Sequence, residues 1–316
     1  MDHSLHTRAL RLGATLYMPV IHPQARRILL GEEAHGAGSV VICLEDALGE
    51  ADVGRGLRLL KETLEERRRI DRSGQKVLVF VRPRSLAMGR EIAAMTGAET
   101  LDGFIVPKMT LANGPDWFAI ARQSGLPLMP TLETPDMYDP VRVSQVADMI
   151  GDQCADHLFA IRIGGNDLLS ALGLRRVPGQ TSHEGPLAWV LGMIASQMMS
   201  RGFPVAAPVY DIISDLGTLE REVSDDAARG FIGKTAIHPC QIPIIHAAFQ
   251  VGADELRQAD AILGDEAAAV FQIGGVMCEP ATHRAWARRI RARAAIHGLR
   301  DSVPAELMQA LHRNAG

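Results

Sequence analysis

Eight short runs of apolar and β-branched residues recur through roughly the first 240 residues, most of them separated by longer stretches with helical spacing. They fall at residues 15–18, 39–44, 77–81, 103–106, 128–132, 158–163, 205–207 and 232–237. Between them, helices are expected at 24–33, 52–69, 116–124, 140–150, 187–201 and 218–229, with a polar loop at 175–185. Runs that are apolar throughout belong in a sheet covered on both faces, and strand–helix alternation demands parallel pairing. Eight such units suit a closed (β/α)8 barrel, a TIM barrel. An open doubly wound sheet would favour a glycine-rich turn after the first strand, where this chain has Met18-Pro19-Val20-Ile21.

The pattern changes near residue 251. Helices are expected at 254–263, 281–296 and 304–312, with a loop at 274–280 and no strands. The chain therefore reads as a catalytic barrel over 1–250 and a C-terminal helical extension over 251–316, serving as a lid or an oligomer contact. With 316 residues, 47% of them hydrophobic, a large core is within reach. A net charge of −4 offers no field for nucleic acid or anionic membrane. Cys43, Cys154, Cys240 and Cys278 are widely spaced, which speaks against a zinc site or disulfide framework. No apolar run is long enough for a membrane span, and a cytoplasmic protein is expected.

Parallel barrels do their chemistry where the carboxyl ends of the strands open on one face. Those ends carry Glu45 and Asp46, Arg82 and Arg84, Lys108, Glu133, Asn166 and Asp167, Tyr210 and Asp211, and His238. A single acid there is by default a helix cap or a solvated loop charge. The set is different, because acids on the second, fifth and sixth strands converge with an arginine on the third and a lysine on the fourth. Hard divalent cations take carboxylate oxygens, and Mg²⁺ uses one or two of them, leaving positions for substrate. Glu133 and Asp167, on neighbouring strands, are the expected metal pair, with Glu45 and Asp46 orienting them. Arg82 is placed to grip a substrate oxygen, and Gly165, Asn166 and Tyr210 to line the substrate site. An oxygen held between a cation and a guanidinium is where an enolate gains stability, which points to C–C bond chemistry beside a carbonyl.

Several motifs carry a resemblance. Val41-Ile42-Cys43-Leu44-Glu45-Asp46-Ala47, Val81-Arg82, Val106-Pro107-Lys108, Leu132-Glu133-Thr134, GGNDL at 164–168 and GKTAIHPCQ at 233–241 stand in this order. Together they resemble the citrate lyase β-subunit and HpcH/HpaI aldolase superfamily. The Tyr17-Met18-Pro19 opening and the run 162–169 look most like its bacterial C–C bond lyase branch. The resemblance implies a TIM barrel, Mg²⁺ or Mn²⁺, and aldol- or Claisen-type cleavage or condensation of a hydroxy acid or acyl-CoA thioester. It places the metal on Glu133 and Asp167 and the enolate on Arg82. It also implies a homo-oligomer, trimeric or hexameric, in which a carboxylate from a Gly-x-Met loop serves a neighbouring subunit. That loop here is Gly275-Val276-Met277-Cys278-Glu279-Pro280, making Glu279 the corresponding acid. The first strand lacks the Gly-Asp-Arg continuation of citrate lyase β-subunits, and Asn166 stands where an acid is common. The substrate field therefore includes other 2-oxo- or 3-hydroxy-acid derivatives, phosphorylated or nucleoside-linked ones among them.

Two other readings remain open. One is a non-catalytic or carrier-dependent ligand-binding subunit of a larger lyase complex; the other is a metal-independent aldolase with a Schiff base on Lys108. ARGFIGKT at 228–235 fits a relaxed phosphate-loop pattern, but a helix precedes it and a strand follows, so Lys234 is expected inside the eighth strand. His238 is expected to cap the chain after that strand. Arg175 and Arg176 read as solvated loop arginines, with a phosphate contact as the alternative.

Overall fold

The computed structural model describes residues 3–300, so the helix expected at 304–312 lies outside the described residues. Residues up to 248 form one compact unit and those from 249 onward a second. In the first, eight parallel strands succeed one another in chain order: β1 (Gly13–Pro19), β2 (Ser39–Cys43), β3 (Leu78–Arg82), β4 (Gly103–Val106), β5 (Leu128–Leu132), β6 (Ile161–Ile163), β7 (Val205–Ala206) and β8 (Gly233–Ala236). β1 pairs with both β2 and β8. The ring closes between β7 and β8, where the Ala207 N–H donates to the Gly233 carbonyl at 2.8 Å and the Ile232 N–H to that of Val205 at 3.0 Å. This is the (β/α)8 barrel that the alternation predicts.

The helices of this unit are α1 (His3–Leu10), α2 (Ala25–Leu29), α3 (Val53–Arg67), α4 (Leu86–Ala93), α5 (Gly114–Ser124), α6 (Pro140–Cys154), α7 (Gly165–Ala171), α8 (Ala188–Ser200), α9 (Leu216–Ala228) and α10 (Ile242–Phe249). Several begin at side-chain caps just beyond the strand ends: Ser85 accepts from the Met88 N–H, Asp139 from Val141 and Asp215 from Thr218. His238 caps the turn after β8 by accepting from the Cys240 N–H. α2 is shorter than its sequence pattern, because the chain turns left-handed at Gly31 (φ +99°). The sixth strand is also shorter than predicted, and Gly165 to Asp167 open α7 rather than standing on a loose turn.

The lumen is unusually polar. Residues alternate between lumen and helix layer along each strand. Arg162 on β6 reaches Thr235 on β8 past Ala206 on the intervening strand, a span that runs through the lumen. Its guanidinium carbon lies 5.3 Å from the Tyr17 ring centre on β1. Ser39 and Thr15 share a hydrogen bond of 2.9 Å on the β2 and β1 walls.

Lys234 faces the opposite way, between β8 and α9. It is wholly buried and donates to Glu222 at 2.7 Å and Asp226 at 2.8 Å. Arg176 joins from the loop after α7, donating to Glu222 at 2.7 Å, and His183 meets Asp226 at 2.8 Å. Arg176 is 9% exposed, so the reading of it as a solvated loop arginine is corrected. A buried acid on α9 needs cations from both sides, which draws this arginine inward. Burial works against the Glu222 charge, but Lys234 and Arg176 outweigh it and hold the carboxyl down at about 2.

The second unit has its own small core of Val251, Ala259, Ile262, Cys278, Ala287 and Ile290. These come from α11 (Ala253–Leu263), α12 (Pro280–His297) and the segments beside them. Here the strand-free expectation is corrected: β9 (Phe271–Ile273) and β10 (Val276–Cys278) form an antiparallel hairpin. Gly274 and Gly275 turn it with φ of +60° and +81°, both in the left-handed region that a two-residue hairpin turn requires. None of the described helices is long and apolar enough to cross a membrane.

Replacing Lys234 with methionine removes the cation that Glu222 and Asp226 share and leaves Glu222 to Arg176 alone. Urea denaturation is expected to show a loss of about 3–5 kcal/mol. In the native chain Glu222 contributes its full stability above the ordinary value of 4.5 and loses it as pH falls through about 2, so the stability gap between native protein and variant should narrow over that interval.

Candidate active site

The carboxyl end of the barrel gathers six of the side chains marked out by the sequence. Glu45 and Asp46 follow β2, Arg82 ends β3, Lys108 follows β4, Glu133 follows β5, and Asp167 lies in the first turn of α7 after β6. Arg82 is central. One terminal nitrogen, Nη2, lies 2.9 Å from Glu133 Oε1 and 2.8 Å from Glu45 Oε2. Its Nε is buried with no hydrogen-bond partner. Lys108 closes the other side, with Nζ 2.7 Å from Glu45 Oε1, 3.0 Å from Asp46 Oδ2 and 3.8 Å from Asp167 Oδ1.

Lys108 acts through its backbone as well. It holds φ at +47°, a left-handed conformation that costs a non-glycine residue roughly 1–2 kcal/mol. In that geometry its N–H donates to Glu133 Oε1 at 2.8 Å, and Asn113 secures the turn by donating to the Lys108 carbonyl at 2.9 Å. Arg84, one turn past β3, donates to the carbonyls of Leu44, Glu45 and Leu48 and so braces the loop that carries Glu45 and Asp46.

Glu133 is 2% exposed. Burial pushes its carboxyl up to about 7; Arg82 pulls the other way, and the nearby charge of Asp167 adds to the rise. Burial also opposes the charges on Arg82 and Lys108, but their acid partners outweigh it and raise both. At the rim four carboxylates face two cations, leaving a surplus of negative charge on hard oxygen donors. A hard divalent cation fits that surplus. Among the described residues no group of three or more His, Cys, Asp or Glu is arranged to hold a metal. Glu133 and Asp167 would supply two carboxylates, as Mg²⁺ accepts. Gly164 makes the room that Glu133 occupies: a Cβ there would stand 2.1 Å from Glu133 Oε2.

The remaining sequence candidates are Gly165, Asn166, Tyr210 and Glu279. Gly165 is buried against Pro208, and Asn166 is exposed at the start of α7. Tyr210 is fully buried, donates to Asp215 at 2.8 Å and lies under the Arg176 guanidinium, 4.7 Å from ring centre to Cζ. Its hydroxyl is thus committed to the loop before α9. Glu279 belongs to the second unit, where it precedes α12 and accepts from the Thr282 hydroxyl at 2.7 Å. The sequence reading passed over Gly164 and Arg162. Arg162 carried a visible signal, a charge inside the apolar run Phe159-Ala160-Ile161-Arg162-Ile163 of a strand covered on both faces.

Comparison with known proteins gives a consistent picture. The model of a family described as a C–C bond lyase of the TIM-barrel fold matches residues 6–299. The chain is similar to a (3S)-malyl-CoA thioesterase of Cereibacter sphaeroides, 26% identical over 260 residues, covering 82% of this chain and 83% of the relative. Among solved structures it is similar to CitE from Mycobacterium tuberculosis in complex with magnesium, acetoacetate and coenzyme A (TM-score 0.66, 22% identity, 90% of this chain and 99% of that one). It is also similar to RipC from Yersinia pestis (TM-score 0.60, 20% identity, 79% and 100%).

Substituting Gly164 with alanine is expected to drive Glu133 out of its place. Urea denaturation should register an overpacking loss of about 1–3 kcal/mol. Alanine at Gly192, where a new Cβ meets nothing within 4 Å, should leave stability unchanged or slightly raised.

Proposed function

This chain belongs to the TIM-barrel C–C bond lyase family, and on that premise we propose that it breaks or forms a C–C bond beside the carbonyl of a hydroxy acid or acyl thioester, with Mg²⁺ held by Glu133 and Asp167. The observation that carries the reading is the rim cluster, in which Arg82 joins Glu133 to Glu45 and Lys108 joins Glu45 to Asp46. The surplus of carboxylates suits a divalent cation. Bound there, Mg²⁺ would polarise the substrate carbonyl as a Lewis acid.

The chain's own groups supply the rest. Arg82 is kept charged by its acid partners and offers an N–H to the oxygen that gains negative charge as the bond breaks. Glu45 and Asp46 hold Lys108, and Lys108 in turn fixes Glu133 through its N–H. A Schiff base on Lys108 is disfavoured, because the amine must shed its proton to attack and its neighbours hold it as the ammonium. The likeness to a malyl-CoA thioesterase supports an acyl-CoA among the substrates. It also raises a second reaction on the same polarised carbonyl, attack by water. Products separate the two: hydrolysis releases a free thiol, whereas cleavage releases a shorter thioester and a carbonyl compound.

In this reading the proton is moved by Glu279 of a second copy, as the resemblance implies for a homo-oligomer. The test is complementation: Arg82→Met and Glu279→Gln proteins, each inactive alone, should regain activity when mixed and reassembled. Purified protein assayed against hydroxy acids and their CoA esters should turn over without partner subunits, lose activity in EDTA and recover it with Mg²⁺. Asp167→Asn and Glu133→Gln should each lower kcat/KM by about 10²–10³-fold. Full turnover by the Asp167 variant would exclude the metal pair.

A further inference from the structure

Arg162 is 2% exposed, yet no carboxylate bonds to it. One terminal nitrogen donates to the Thr235 hydroxyl, the other (Nη1) is buried with no hydrogen-bond partner, and the plane lies over the Tyr17 ring. Burial lowers its pKa and so does the charge of Arg82, while Tyr17 and the more distant carboxylate of Glu133 give only partial compensation. Arg67 is likewise buried without a carboxylate but gives its N–H groups to the carbonyls of Leu29 and Thr100, while Lys234 has two anions and Arg176 has Glu222 as its anion. A guanidinium deep in the lumen without one is costly unless something negative comes to it.

The surroundings say where that would be. Arg162 stands two residues before Gly164, and its cross-strand partner Thr131 stands two before Glu133, so the guanidinium belongs to the lumen layer directly beneath the rim cluster. Tyr17 and Thr235, which flank it on β1 and β8, are half-buried. The small Ala206 on β7 leaves the space that the arginine crosses.

We propose that Arg162, with Tyr17 and Thr235, is the floor of the substrate site and selects substrates carrying a second carboxylate, which it binds below the rim cluster. The inference rests on the proposed function for the position of the reacting end and adds a dicarboxylate preference. One carboxylate or carbonyl engages Arg82 and the metal; the other descends to Nη1 of Arg162. A planar guanidinium with a free N–H offers a charge-assisted hydrogen bond to a carboxylate and none to a methyl group.

Titration calorimetry with succinate and butyrate, which differ in one carboxylate, tests this in the presence and absence of Mg²⁺. Native protein is expected to prefer succinate by about tenfold or more. Arg162→Met should bring the two ligands to within about twofold while leaving Mg²⁺ affinity unchanged, and should melt no lower than the native protein because it removes an uncompensated buried charge. Arg162→Lys keeps the charge but loses the fork, and should retain part of the preference; it carries the comparison if the methionine variant does not fold. Equal binding of the two ligands by the native protein, or a succinate preference that survives Arg162→Met, overturns the proposal. A preference that depends on Arg162 but is indifferent to Mg²⁺ supports the floor and counts against the metal pair, so the two readings fail separately.

Discussion

The carboxylate of Glu133 is the group on which the site's geometry turns. It is almost wholly buried, which pushes its carboxyl up, and what opposes that rise comes from the surrounding strands: Arg82 from β3 and the Lys108 N–H from beyond β4. Each partner is then tied to a further acid, Glu45, whose loop is braced by Arg84. Four successive strands are thereby registered to one another at their carboxyl ends by charge rather than by apolar packing. Such clusters stabilise a fold poorly, since desolvation cancels much of the attraction. They are well suited to chemistry, because dipoles and charges already in place need not reorganise when a reaction develops charge.

The barrel holds a second buried network, and the contrast is informative. Around Lys234, Glu222, Asp226 and Arg176 each charge has a counter-charge within about hydrogen-bond reach, on the side of the sheet that faces α9. Arg176 also faces Asp211, whose Oδ1 lies 3.2 Å from its Nε. At the rim and in the lumen the balance fails in both directions, with excess carboxylate above and an under-compensated guanidinium below. Perturbed, unevenly compensated charges of this kind cluster at functional sites, which is why the rim and the lumen rather than the α9 network carry the functional reading.

The architecture was legible in the sequence because it depends on periodicity. Alternating apolar runs and amphipathic stretches leave few topologies once parallel pairing is required, and the strand ends follow directly. Glu45, Arg82, Lys108, Glu133 and Asp167 could be named from that rule together with their residue types. What escaped was of two kinds. The β9–β10 hairpin has a turn signal in Gly274-Gly275 between two short apolar runs, but the helical patterns on either side make 274–280 read as a loop. Tyr210 was placed in the substrate site by its position after β7, but which way a loop side chain turns is decided by partners distant in sequence, here Asp215 and Arg176. The inward fate of Arg176 has the same origin. Its sequence neighbours, Arg175 and Val177, say nothing of Glu222.

Lys108 engages the site from both ends, amide and ammonium. Trimming its side chain therefore removes only half of what the residue does, since the N–H stays wherever the backbone curve puts it. A scan by alanine would rank this position by its ammonium alone and miss the anchor it gives Glu133. The contour of the main chain is here a functional group in its own right, one that no list of reactive side chains contains.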